Sequence, residues 1–185
     1  MSVEAEHVEV RAARRADAVA VAEIWYRGWC DGHLGNVPDA LVAVRTRESF
    51  AERAPRRLAD TAVAVVGGEV AGFVMVVDDE VEQVYVAERH RGVGVAVVLL
   101  EEAERLVAAG GHRQAWLAVV PGNARARRFY ERNGWTDQGP FEQFAPRDQG
   151  QVTVPAHRYV KRLADDAARR RSTGRPVKKP PSPPA

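Results

Sequence analysis

At 185 residues, with 45% apolar and 28% charged side chains, the chain has the size and composition of one globular domain. Its single cysteine, Cys30, excludes an intramolecular disulfide framework and cysteine-rich zinc sites, and it suits a reducing compartment. The net charge of +2 hides an asymmetry: six basic residues from Arg169 onward have no acid among them, and +2 less six leaves −4 for residues 1–168. The body is mildly acidic, which argues against a general nucleic-acid-binding fold, since that needs a basic face.

No apolar run approaches the roughly 20 residues that span a bilayer. The acidic start, Met1 to Glu6, lacks the basic-then-apolar order of a signal peptide. The expectation is a soluble cytoplasmic protein with no membrane partner.

Val8 and Val10 alternate with polar neighbours, as in a half-buried strand. Asp17 is the expected N-cap of a helix reaching about Trp29, with Val21, Ile24, Trp25 and Trp29 on one face. Residues 30–38 read as a loop. A second helix is expected over Asp39 to Arg53, closed by Pro55. The runs 61–66 and 70–77 flank Gly67-Gly68-Glu69 and predict a hairpin, and 81–86 predicts the next strand. A helix from about Val93 to Ala109 places Val97, Leu100, Ala103 and Val107 together and ends at Gly110-Gly111. There follow a strand over 115–120, a helix over 123–132 stopped by Asn133-Gly134, and two strands near 135–144 and 152–162. The order β-α-α-β-β-β-α-β-α-β-β predicts one α+β, mixed-sheet domain over 1–164. Residues 165–185, rich in proline and basic groups, are expected to be a disordered tail.

The segment Val84 to Ala96 carries the most chemistry. A strand ends, a glycine-bearing turn follows and a helix begins, so unpaired N–H groups and the positive end of the dipole meet where phosphate could sit. The dinucleotide fingerprint fails, because Val97 stands where a small residue is needed and His112-Arg113-Gln114 where an acid is expected. No Gly-Lys-Ser/Thr exists for a P-loop. A turn that merely starts a helix is the plain alternative.

Arg89-x-x-Gly92-x-Gly94 resembles the acetyl-CoA signature (Gln/Arg)-x-x-Gly-x-(Gly/Ala) of the GNAT-type N-acetyltransferases. Trp116 to Val119, followed by Asn123-x-x-Ala126-x-x-Phe129-Tyr130-x-x-x-Gly134-Trp135, resembles that family's second pattern, with Trp135 where phenylalanine is usual. The resemblance covers roughly residues 7–163. It implies a GNAT-like acyl-CoA N-acyltransferase fold: a mostly antiparallel central sheet, flanked by helices, whose fourth and fifth strands splay apart. It also implies acetyl-CoA as cosubstrate, a small-molecule or peptide amine as acceptor, and direct transfer without an acyl-enzyme on Cys30. Family members are commonly dimers, so a homodimer is admitted. Nucleic acid would be contacted only through the basic tail.

Carried over residue by residue, the backbone of Val84, Tyr85 and Val86 would bond the pantetheine arm. The amides of Arg91, Gly92, Val93, Gly94, Val95 and Ala96 would cradle the pyrophosphate, with Arg89 ordering the loop or meeting phosphate. Asn123 would bond pantetheine, serve as an N-cap, or do both. Tyr130 is the candidate general acid, its neutral phenol protonating the leaving thiolate; otherwise it is a core aromatic beside Phe129. Glu82 is the first candidate base and Glu80 the second, against a reading of Glu80 as an exposed turn carboxylate. Strand alternation places Glu82 with Val84 and Val86, unless a bulge intervenes. The acceptor side falls to Tyr26, Trp29, Asp31 and His33, each with a plain structural alternative. The five histidines lack ligand spacing, and no metal is expected. A non-catalytic acyl-CoA-binding regulatory module on the same fold is the competing function.

Overall fold

The computed structural model describes residues 7–146 and 150–163. Seven strands form one sheet in the order β1-β2-β3-β4-β5-β7-β6. They are β1 (Glu9–Ala12), β2 (Thr61–Val66), β3 (Glu69–Val77), β4 (Glu80–Val86), β5 (Gln114–Val119), β6 (Thr136–Pro146) and β7 (Gln151–Arg162). Every neighbouring pair is antiparallel except β4 and β5. The helices are α1 (Ala18–His33), α2 (Asp39–Val42), α3 (Arg47–Arg53), α4 (Val95–Ala109) and α5 (Ala124–Arg132). The mixed sheet with helices on both faces is the architecture expected from the element order. Residues 165–185, expected to be a tail, lie outside the described residues.

Each sheet face has its own core. On one, α4 lays Val95, Leu99, Ala103 and Val107 against Ala64, Val74 and Leu117, and Tyr130 of α5 joins them. On the other, α1 lays Val21, Trp25 and Trp29 against Val63, Phe73 and Met75, with Phe50 of α3 wedged between. Burial of these side chains, about 1.5–3 kcal/mol each, is what holds the helices to the sheet.

Four local expectations are corrected. Val97 is 37% exposed, because α4 starts at Val95 and its buried stripe runs through Val95, Leu99 and Ala103. Asp17 stands at the N-cap position of α1, as expected, but its side chain makes no capping hydrogen bond to that helix. It ends a 3-10 turn, Arg15–Asp17, and its carboxylate accepts from the Arg14 amide at 2.7 Å and from Arg11 at 2.7 and 3.0 Å. Helix α1 runs past Trp29 to His33, through two glycines. The helix expected over 39–53 is two helices, because Thr46 caps α3 by accepting from the Ser49 amide at 3.2 Å. Pro55 then turns the chain into a 3-10 segment, Ala54–Asp60.

The sheet opens in its middle. Strands β4 and β5 pair only at Glu80 and Trp116. That closed end is fastened by Asp79, whose carbonyl accepts from the Trp116 amide at 2.9 Å and whose carboxylate accepts from the indole Nε1 at 3.1 Å. Beyond it β4 keeps its β3 partners and β5 its β7 partners, so two strand edges diverge.

Candidate active site

The divergence creates a cleft of approximately 390 Å³. Its inner walls are the backbone and side chains of β4 from Glu80 to Tyr85 and of β5 from Leu117 onward. Trp25, Trp29 and His33 of α1 close one side, and Asn123, Ala126 and Tyr130 the other. The β6-β7 hairpin contributes Gln143, Phe144 and Ala145. A second, shallower depression of approximately 490 Å³ lies where the end of α1 meets the start of α5, and Asn123 lines both.

On β4 the register against β3 passes from Val76–Val81 to Met75–Gln83, leaving Glu82 as an extra residue. This bulge breaks the alternation. Val81, Val84 and Val86 pack with the α4 core. Glu82 instead pairs with Arg57 at 2.5 Å, and Gln83 accepts from Trp25 Nε1 at 3.1 Å. Glu82 therefore shares the α1 side with Gln83 and Tyr85, not the side of Val84 and Val86 as plain alternation predicts.

The two carboxylates differ in their partners. Glu82 is held by the Arg57 guanidinium. Glu80 is half-buried in the strand, not exposed in a turn, and burial pushes its carboxyl up to about 7, reinforced by the charge of Glu82 and opposed by the Gln143 amide 3.4 Å away. Glu80 is thus the carboxylate poised to exchange a proton near neutral pH.

Tyr130 lines the cleft from α5 and is only 9% exposed. Its ring is boxed by Phe129, Trp135 and Tyr159. Burial raises its phenol well above the usual range, which keeps it protonated. Its hydroxyl has no hydrogen-bond partner among the described residues. Asn123 caps α5, its Oδ1 accepting from the Ala126 amide at 3.1 Å.

The glycine loop after β4 is built for its backbone. Gly92 and Gly94 have φ of 81° and 91°, where a side chain would be strained. The Arg91 amide is committed to the Glu88 carbonyl at 3.2 Å, which removes it from the expected cradle. From Gly92 to Ala96 no amide donates to a backbone carbonyl among the described residues. These amides converge at the start of the fifteen-residue α4, an arrangement that suits a phosphate. Arg89 is exposed and pairs with Glu69 at 2.7 Å, across from the β2-β3 turn.

The acceptor-side candidates divide. Trp29 and His33 stack in the cleft wall, centroids 5.1 Å apart. Burial lowers the His33 pKa, so the ring is neutral. Tyr26 is not in the wall; its ring lies under the Arg47 guanidinium, 4.6 Å away. Asp31 is also elsewhere: it pairs with Arg91 at 2.7 Å, tying α1 to the glycine loop beside the second depression. Reading the sequence missed Arg45, Arg53, Arg57 and Gln143, all cleft-lining. The Arg53-x-x-x-Arg57 spacing across Pro55 was the available signal. Cys30 is part-buried and outside the cleft wall. No group of three or more potential metal ligands occurs among the described residues, and no helix there is long and apolar enough to cross a membrane.

The sequence model of the acetyltransferase (GNAT) family matches residues 22–135. An uncharacterized N-acetyltransferase of Mycobacterium tuberculosis is 30% identical over 113 residues, 58% of this chain and 70% of that protein. The fold is similar to the crystal structure of a GCN5-related N-acetyltransferase from Rhodopseudomonas palustris, with a TM-score of 0.64, 18% identity, and 88% of this chain and 99% of that one covered. It is also similar to yncA of Salmonella typhimurium, solved with its cofactor acetyl-CoA (TM-score 0.62, 20% identity, coverage 85% and 95%).

Proposed function

Because the chain belongs to the acetyltransferase (GNAT) family, we propose that it moves an acetyl group from acetyl-CoA directly to a primary amine held in the same cleft. The observation that carries this reading is the opening between β4 and β5, with free amides at one end and Glu80 and Tyr130 in its walls. The unpaired β4 edge at Val84 to Val86 is the complement of an extended pantetheine amide chain. The amides of Gly92 to Ala96 receive the pyrophosphate. Asn123 keeps its Nδ2 group for the pantetheine while its Oδ1 caps α5. Arg91 and Arg89 shape the loop through Asp31 and Glu69. The acetyl-CoA bound in yncA supports this assignment.

Glu80 takes the proton from the acceptor ammonium, directly or through water, and Glu82 with Arg57 sets the local charge. This reverses the order of the two carboxylates expected from sequence. The free amine attacks the thioester carbonyl carbon, the C–S bond breaks, Tyr130 gives its phenolic proton to the departing thiolate, and the second proton shed by the acylated nitrogen returns the phenol to its neutral form. Trp29 and His33 wall the acceptor side, and Cys30 takes no part.

Calorimetric titration with acetyl-CoA and thiol release over an amine panel test the reading. Absence of acetyl-CoA binding at high micromolar concentration refutes it. Binding with no release over the whole panel identifies a non-catalytic acyl-CoA-binding module instead.

A further inference from the structure

We infer that the acceptor is a small amine bearing a carboxylate, and that Arg53 at the base of the cleft receives it; this rests on the acetyl-transfer reading above. Three arginines line the cleft, and they are not equivalent. Arg57 is committed to Glu82 and Asp60. Arg45 donates to the Pro146 carbonyl at 2.9 Å, joining the segment between α2 and α3 to the end of β6. Arg53 has no carboxylate within ion-pair distance among the described residues.

Arg53 is also held in place. Its guanidinium lies 4.4 Å above the Trp25 ring and 5.4 Å from that of Phe50. Trp25 is anchored by Gln83 through Nε1 and packs edge-on against Phe50 and Phe73. One face of the fork is therefore covered, leaving its edge for a planar partner. Burial, with the like charges of Arg45 and Arg57, pushes its pKa down to about 10. The more distant charge of Glu82 opposes that shift in part, the cation persists at neutral pH, and an incoming anion would relieve it further.

One guanidinium with no carboxylate at ion-pair distance among the described residues matches a monoanion. A phosphate dianion would also face Glu80 and Glu82. Polycationic acceptors would bring further positive charge against Arg53 and Arg57. A cleft of approximately 390 Å³ limits the acceptor to a small molecule. The carboxylate on Arg53 and the amine toward Glu80 fix two ends of such a molecule.

The test compares each of the common L-amino acids with its α-carboxamide, alongside spermidine and kanamycin, by CoA thiol release with the full chain. The expected result is at least one amino acid whose kcat/KM exceeds that of its carboxamide by roughly 10- to 100-fold, the worth of a charged hydrogen-bonded pair. Arg53→Gln then collapses this ratio toward one, and Arg53→Lys keeps part of it. Because the readout is a ratio within one protein, partial unfolding does not mimic it, and acetyl-CoA affinity within twofold of the parent reports the fold. The inference is overturned if amides or polycations outrun the carboxylates, if no amino acid reacts although acetyl-CoA binds, or if the ratio survives in Arg53→Gln. Failure to bind acetyl-CoA removes the earlier reading, and this one with it.

Discussion

A Cβ on Gly28 would stand 2.2 Å from Cδ1 of Tyr85. Helix α1 and strand β4 thus approach until the tyrosine ring fills the gap left by a missing side chain. Phe73 backs the ring from β3, centroids 5.8 Å apart, so the ring can yield only toward the cleft it lines. This contact sets the height of the cleft wall, since Gln83, two residues earlier, holds Trp25 beneath Arg53.

Gly28→Ala should accordingly destabilise the fold despite improving helix propensity. Overpacking costs about 1–3 kcal/mol and the alanine returns about 1. A net loss near 1 kcal/mol lowers Tm by about 2–4 °C, readable by calorimetry. A rise in Tm would show that Tyr85 is free to move.

Glu80 gives the reaction its pH dependence. The base must be ionised, so kcat/KM should rise with pH through about 7 and level off above it. Glu80→Gln removes that limb. Glu82→Gln keeps the limb but shifts it to lower pH, because it removes a negative charge that raises Glu80 and leaves Arg57 with Asp60 as its one carboxylate. The same shift has a stability consequence: the folded state holds the Glu80 proton more tightly than the unfolded chain, so this group weakens the fold as pH rises from about 4.5 to about 7. Glu80→Gln is expected to unfold at higher urea than the parent at pH 8, and a lower midpoint would contradict it.

Tyr130→Phe keeps the ring packing against Trp135 and Tyr159 and removes only the hydroxyl that carries the proton. We expect kcat to fall by about 100-fold with the acetyl-CoA dissociation constant nearly unchanged. Unaltered turnover would exclude Tyr130 as the acid.

Gly94→Ala tests the loop separately from the chemistry. A Cβ there meets nothing within 4 Å, so no collision occurs; the cost is the φ of 91°, about 1–2 kcal/mol for an L residue. Affinity for acetyl-CoA should drop about tenfold with a smaller change in kcat at saturation. Full affinity would mean that the loop amides do not hold the cofactor.

Asp17 is 6% exposed and satisfied by Arg11 and the Arg14 amide. Asp17→Ala strands that guanidinium and the amide, at a cost of about 2–3 kcal/mol. Arg11 holds the Asp17 pKa below the usual range, so the pair's stabilisation is present above about 4 and is lost as pH falls through the lowered pKa. Acid titration of the parent and the variant should converge at low pH.

Local chemistry wrote much of this protein in its sequence. The hairpin at Gly67-Gly68, the turn glycines Gly92 and Gly94, the Asn123 cap and the apolar stripe of α1 each depend on residues within a few positions of one another, so their spacing alone reveals them. The paired glycine and Asn-Tyr motifs likewise point to an acyl-CoA enzyme. What spacing could not reveal is decided by pairing between distant strands. The extra residue at Glu82 exists only because Val76 takes Val81 and Met75 takes Gln83, and it swings Glu82 to Arg57 while Glu80 stays without an ion-pair partner among the described residues. Asp31 and Tyr26 lie outside the cleft wall, meeting Arg91 and Arg47 from other parts of the chain. Arg53 became a cleft residue only when α3 packed against α1 through Phe50. The sequence by itself determined the order of elements, through short-range periodicity and turn constraints, and its two motifs carried the resemblance to the acetyltransferase family. Which charges face the cleft, and which are already neutralised, was decided only by tertiary structure, because the energy of a buried charge depends on partners that folding alone brings within a few ångströms.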